Sequence, residues 1–275
     1  MKFLIYYLIL LFLFNNCLAQ TAEEYYENSF EKYDKLKYNE AILDLNKAIE
    51  LNKNFADAYY QRGYIKFLLK DTTGAFSDFD MYINLDTNNS DAYNIRGIIK
   101  ADKGFFNDAI IDYNKSILLN SKDETAYYNR GNSKAKLKDF ESALIDYNKA
   151  IVLKNDYILA YINRGNVKIK LNKLKSALKD FNFAIANISK NIDSFMISCA
   201  YFGRGIVYTE LGKKKEALND YNKGLEYNPE FSFGYLERGI IKYELGDKYA
   251  ACEDWSKADK LGLLEAKEII KQFCK

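Results

Sequence analysis

The stretches Ala126-Tyr127-Tyr128-Asn129-Arg130-Gly131-Asn132 and Ala160-Tyr161-Ile162-Asn163-Arg164-Gly165-Asn166 are nearly the same seven residues, 34 positions apart. A third version, AYNIRGI at 92–98, stands 34 positions before the first. A fixed period of this length marks a chain built from copies of one supersecondary unit. The glycine recurs as Gly63, Gly97, Gly131, Gly165, Gly205 and Gly239, with gaps of 34, 34, 34, 40 and 34, and Ser29 holds the register one period earlier. Four residues before each of these seven positions is a tyrosine: Tyr25, Tyr59, Tyr93, Tyr127, Tyr161, Tyr201 and Tyr235. Twelve residues after each is an alanine: Ala41, Ala75, Ala109, Ala143, Ala177, Ala217 and Ala251. Two unbroken columns at one period define seven units.

Each unit reads as two helices. In the first, tyrosine and glycine are four apart and share one face, and glycine lets a neighbouring helix approach closely. In the second, Ala143, Tyr147 and Ala150 fall at i, i+4 and i+7, the stripe of an amphipathic helix. Leu45, Phe79, Tyr113, Phe181, Tyr221 and Trp255 repeat the Tyr147 position. A single helical pair cannot bury such a stripe alone, so the units must stack. Composition agrees. One proline in 275 residues leaves too little punctuation for many short strands.

With these columns in place, the chain resembles the tetratricopeptide repeat (TPR) family over about residues 22–265. It departs from the family in keeping the terminal repeat proline only at Pro229 and in using tyrosine where tryptophan is usual. The resemblance implies an all-α, right-handed α-solenoid of about seven helix pairs, first helices lining a concave groove. Expected units are 22–55, 56–89, 90–123, 124–157, 158–197 with a six-residue insertion within 187–196, 198–231 and 232–263. Residues 264–275 read as an amphipathic helix capping the last pair.

Before the repeats, Lys2 is followed by twelve apolar residues, Phe3 to Phe14, and then by Asn15, Asn16, Cys17, Leu18 and Ala19. This is the layout of a secretory signal peptide over 1–19. Twelve residues span about 18 Å as a helix, short of a bilayer core of about 30 Å. The expectation is an exported bacterial protein, periplasmic or extracellular. Lipidation at Cys17 would instead make a tethered subunit of a cell-envelope assembly, although Phe14, Asn15 and Asn16 match the lipoprotein motif poorly.

All six arginines stand immediately before a repeat glycine: Arg62, Arg96, Arg130, Arg164, Arg204 and Arg238. Every second helix carries an aspartate three residues after its alanine: Asp44, Asp78, Asp112, Asp146, Asp180, Asp220 and Asp254. Both columns lie on packing faces, where charges need partners and the guanidinium fork suits a carboxylate. The expected arrangement is an internal ladder of ion pairs. Its arginines should reach the preceding unit, Asp44 with Arg62 and Asp112 with Arg130, since the first unit has no upstream neighbour and lacks arginine. The rival is a row of arginines reading phosphates or acidic ligands.

In the family the groove is lined by the positions three before and one after the glycine. Here these are Tyr60 and Tyr64, Asn94 and Ile98, Tyr128 and Asn132, Ile162 and Asn166, Phe202 and Ile206, and Leu236 and Ile240. The aromatic, aliphatic and amide mixture suits an extended peptide or an amphipathic helix of a protein partner, packing being the alternative role for each residue. Family members that clamp acidic tails use a lysine in the first of these columns, and none stands there.

The absence of histidine removes histidine bases and ligands, and no GxxxxGK[ST], GxSxG, CxxC or HExxH motif occurs. The expectation is therefore a non-enzymatic protein-interaction scaffold without metal or cofactor, a glycan-binding or catalytic solenoid being the remote alternative. Forty basic and 38 acidic residues nearly cancel, so no nucleic-acid partner is implied. Cys252, on the last second helix, and Cys274, near the tip of the expected cap, stand ten residues before and twelve after a turn near Gly262. An antiparallel cap would bring them together as a disulfide, leaving Cys199 free; three unpaired thiols are the alternative.

Overall fold

The computed structural model describes residues 20–188 and 192–274, and the expected leader lies outside them. Among the described residues there are fifteen helices and no strand. They form an all-α repeat array divided into two compact units, one ending at Ser121 and one starting at Lys122.

The first unit holds three hairpins: α1 (Ala22–Asp34) with α2 (Tyr38–Leu51), α3 (Ala56–Leu68) with α4 (Thr72–Leu85), and α5 (Ser90–Asp102) with α6 (Phe106–Leu119). The second holds α7 (Glu124–Lys136) with α8 (Phe140–Leu153), α9 (Ile158–Lys170) with α10 (Leu174–Ala186), α11 (Ser194–Glu210) with α12 (Lys214–Tyr227) and α13 (Ser232–Glu244) with α14 (Lys248–Lys260). It closes with α15 (Leu264–Phe273).

The sharp corner inside each hairpin has one cause. The second residue after the first helix takes the left-handed conformation, at Leu36, Lys70, Gly104, Lys138, Asn172, Gly212 and Gly246. The chain then folds back on the helix end: Lys37 N–H donates to the Lys32 carbonyl at 2.8 Å and Leu36 N–H to the Tyr33 carbonyl at 2.8 Å. These bonds satisfy carbonyls that a helix end otherwise leaves open. Three-residue connections leave the second helix no choice but to return along the first.

Packing within a hairpin is ring against glycine. The alanine column is fully buried, as are Leu45, Phe79, Tyr113, Tyr147, Phe181, Tyr221 and Trp255. A β-carbon added at Gly97 would lie 2.6 Å from the Tyr113 ring, and one at Gly205 2.7 Å from Tyr221. Since these rings are themselves enclosed, any side chain there forces the two helices apart.

Part of the insertion lengthens a helix. The other first helices have 13 residues, whereas α11 has 17, starting at Ser194 with Asp193 accepting from Phe195 N–H at 3.1 Å. Ile192 packs beside the core around Phe181. At the other end α15 lays Ala266, Ile269, Ile270 and Phe273 over Trp255 and Leu236. Cys252 and Cys274 are joined by a disulfide with Cα atoms 5.7 Å apart, and Cys199 is free.

Candidate functional site

The charged ladder is internal, and its register differs from expectation. Arg62 donates through Nε to Asp78 at 2.9 Å and through Nη2 to the same carboxylate. Arg96 with Asp112, Arg130 with Asp146, Arg164 with Asp180, Arg204 with Asp220 and Arg238 with Asp254 repeat this two-pronged contact. Each arginine's two-pronged contact is therefore with the aspartate of its own hairpin, not with the corresponding aspartate of the preceding one: Asp44 does not hold Arg62, nor Asp112 Arg130. The close glycine contact decides the register. A β-carbon at Gly63 would lie 3.0 Å from that of Asp78, so the residue before the glycine sits directly over its own hairpin's aspartate.

The upstream hairpin is met by the third guanidinium nitrogen. Nη1 donates to Asn46 from Arg62 (2.7 Å), Asp80 from Arg96 (2.7 Å), Asn148 from Arg164 (2.7 Å), Asn182 from Arg204 (2.9 Å) and Asn222 from Arg238 (2.9 Å). All six guanidinium groups also stack on the tyrosine one turn earlier, at 5.0 to 5.7 Å from the ring centres. A lysine column completes the ladder. Lys66, Lys100, Lys134, Lys168 and Lys242 reach the same aspartates at 2.7 to 2.8 Å. In the first hairpin Lys32 alone holds Asp44, and in the sixth Tyr208 takes the lysine's place and faces Arg204. With each fork occupied by an aspartate, the arginines present no anion-reading row.

The twelve groove candidates divide. Asn94, Ile162, Phe202 and Leu236 are buried and support the face from beneath. Tyr60, Tyr64, Ile98, Tyr128, Asn132, Ile206 and Ile240 are half-buried, and Asn166 is exposed. In the first unit this face is a set of packed rings, Tyr60 against Phe79 (5.7 Å) and Tyr82 (5.2 Å), and Tyr33 near Tyr64 (6.5 Å). Burial pushes the Tyr60 hydroxyl up to about 12, so it remains a neutral donor.

The second unit differs, with amide groups gathered between its first helices. Asn163 Nδ2 donates to Tyr128 Oη at 3.0 Å and to Asn132 Oδ1 at 2.8 Å, and the buried Tyr147 hydroxyl donates to Asn132 Oδ1 at 2.8 Å. The Asn132 amide also bonds the Tyr128 hydroxyl, so these bonds fix the amides and leave the Asn163 carbonyl and both ends of Asn166 without a partner among the described residues. They border an open cleft of about 520 Å³ on α7 and α9, whose other walls are Ala135, Phe140, Val167 and the stems of Lys136 and Lys170. Asn166 also borders a second, smaller cavity of about 180 Å³ lined by Cys199, Phe202, Ile206, Phe231, Phe233 and Glu237. Burial, and then the charge of Glu210, raises the Glu237 carboxyl above the usual carboxylate range. Burial likewise raises the Cys199 thiol.

Asn163 and Glu237 stand two residues before the glycine and were not among the expected groove positions. That column reads Gln61, Ile95, Asn129, Asn163, Gly203 and Glu237, too mixed to stand out. The lysine column could have been found by its period, but it is diluted among 34 lysines.

Among the described residues no group of histidine, cysteine, aspartate or glutamate has the arrangement of a metal site, and no helix is long and apolar enough to cross a membrane.

Comparison with protein-family models matches the tetratricopeptide repeat at residues 124–157 and 198–231 and the TPR repeat at 31–69. The chain belongs to the tetratricopeptide repeat family. Proteins of this family are in general non-catalytic scaffolds for protein–protein interaction, and a protein-interaction scaffold is the general character of this TPR chain. No curated protein matches it. Among solved structures, a tetratricopeptide repeat protein from Parabacteroides merdae ATCC 43184 is similar, with 22% identity, 94% of this chain and 100% of that one covered, and a TM-score of 0.68. YrrB, described as a TPR protein with an unusual peptide-binding site, has 22% identity over 69% of this chain and 97% of its own, with a TM-score of 0.54. PilW, a widely conserved type IV pilus biogenesis factor, has 15% identity over 81% and 99%, with a TM-score of 0.63. At these identities the likeness is one of TPR fold.

Proposed function

We propose that the chain is a non-enzymatic scaffold that holds an extended peptide of a partner protein along the first-helix face of its second unit. The observation that carries this reading is the α7–α9 cleft, where the Asn163 carbonyl, fixed by Tyr128 and Asn132, and the whole Asn166 amide are open beside Phe140 and Val167. An extended backbone alternates N–H and C=O groups, and an amide side chain bonds either. The neighbouring apolar walls can then bury partner side chains, which is where such interfaces gain most of their energy. The peptide-binding site for which YrrB is described supports this use of the fold.

Export belongs to the same proposal. It rests on the leader-like residues 1–19 and on the Cys252–Cys274 disulfide, a bond that persists in oxidising compartments.

The test is a binding measurement with a peptide selected on the wild-type chain from a random display library. Replacing Asn163 and Asn166 together by alanine should weaken its binding at least tenfold, since about 0.5–1.5 kcal/mol is at stake for each hydrogen bond lost. Far-ultraviolet circular dichroism should be unchanged. Binding at wild-type strength would remove the amide cleft from the interface.

A further inference from the structure

The groove of the second unit is electrically polarised. Five residues after the repeat glycine, its four first helices carry Lys136, Lys170, Glu210 and Glu244 in order, so the sign reverses half-way along. Glu244 is paired with Lys214 at 3.2 Å. Lys136, Lys170 and Glu210 are exposed, and none has an ion-pair partner among the described residues. The two lysines border the larger cleft, which has no acidic residue in its walls. At the other end Glu237 borders the smaller cavity, which has no basic one. Glu210 lies close enough to Glu237 for its charge to act on it, so two acids share that end, neither of them in an ion pair among the described residues. Asn166 borders both cavities and makes them one path.

Charges left unpaired at opposite ends of one groove call for a ligand with the complementary order. The span is set by the helices. Neighbouring first helices lie roughly 10 Å apart, so α9 to α13 is about 20 Å, or about six residues of extended chain at ~3.3 Å each.

Building on the peptide-groove reading, we propose that the occupant is an extended partner segment carrying both charges. Its carboxylate is held between Lys136 and Lys170, and a lysine or arginine about six residues away lies at Glu237 and Glu210. The apolar stem of that basic side chain fits the Phe202 and Phe231 walls, with its charged head at the carboxylates. The ladder cations are already engaged with aspartates and are not available to the ligand.

The test uses fluorescein-labelled ten-residue peptides on an uncharged background. They carry one aspartate and one lysine six positions apart in either chain order, or neither charge. Anisotropy titrations on the wild-type chain should show one order binding about tenfold more tightly than the other, the size expected when two partly exposed pairs change from attraction to repulsion. The variant combining Lys136→Glu, Lys170→Glu, Glu210→Lys and Glu237→Lys should prefer the opposite order. Should that variant not fold, Lys136→Glu with Lys170→Glu, and Glu210→Lys with Glu237→Lys, measured separately, should each abolish the preference. Equal binding of both orders, or an unchanged preference in these variants, overturns the polarity and leaves the groove reading standing. If none of the peptides binds, both readings fail.

Discussion

Asp146→Ala should destabilise the second unit by about 3–5 kcal/mol, the cost of leaving buried charge without its partner. Asp146 is 1% exposed and accepts from Arg130 at 2.9 and 2.6 Å while Lys134 lies 2.8 Å away, so its loss strands two cations. Arg130→Ala should cost less, because Lys134 still neutralises the carboxylate. At roughly 2–4 °C per kcal/mol for a unit of this size, Asp146→Ala should lower the melting temperature by about 10 °C. A fall within 1 °C, or a larger effect of Arg130→Ala, would mean that the ladder is not held as described.

Breaking the disulfide should have the second-largest effect, and a local one. Cys252 and Cys274 close a loop of 22 residues, for which the chain-entropy model gives about 3 kcal/mol. In a stacked array each element depends chiefly on its neighbours, so the loss should appear first as fraying of α15. Trp255 is the chain's only tryptophan, is 2% exposed, and touches Phe273 at 6.1 Å between ring centres. Cys252→Ser should therefore shift tryptophan emission to longer wavelength well before far-ultraviolet ellipticity is lost. Thiol counting on residues 20–275 should find one free cysteine before reduction and three after. Unchanged emission together with unchanged stability would show that the cap needs no staple.

Glu237 supplies a pH-dependent term to stability. Its carboxyl is harder to ionise in the folded chain than in the unfolded one, so the native state holds the extra proton. Stability from this group is present at low pH and is lost as pH rises through the raised folded value. Glu237→Gln should accordingly raise the melting temperature at neutral pH, an effect to be checked by thermal scans at pH 5 and pH 7, the difference from wild type being larger at pH 7. A lower melting temperature at pH 7 would mean that the carboxylate is satisfied in the free chain.

What could be read in advance follows from periodicity and size. Tyr93, Gly97, Ala109 and Tyr113 recur because one ring must fit one glycine across one hairpin, and that constraint repeats every 34 residues. The ladder's members were equally visible, but not its register. Arg62 stands 16 residues from Asp78 and 18 from Asp44, so spacing alone does not choose between them. The missing arginine in the first unit pointed upstream for a sound reason attached to the wrong atom. It is Nη1, on Asn46, Asp80, Asn148, Asn182 and Asn222, that needs an upstream hairpin. The groove was legible as a face but not as a site. Asn163 belongs to the site only by reaching Tyr128 and Asn132 on the preceding first helix, a contact 31 to 35 residues long that no single-unit pattern contains.

The most direct measurement of where a partner sits is site-specific photo-crosslinking to the library-selected peptide. A benzophenone side chain is placed at position 166, exposed in the groove, or at position 145, where Ile145 is 68% exposed on the outer face of α8. Adduct formation at 166 and none at 145 is the predicted result. Adduct at 145 and none at 166 would contradict the assignment of the first-helix face as the binding surface.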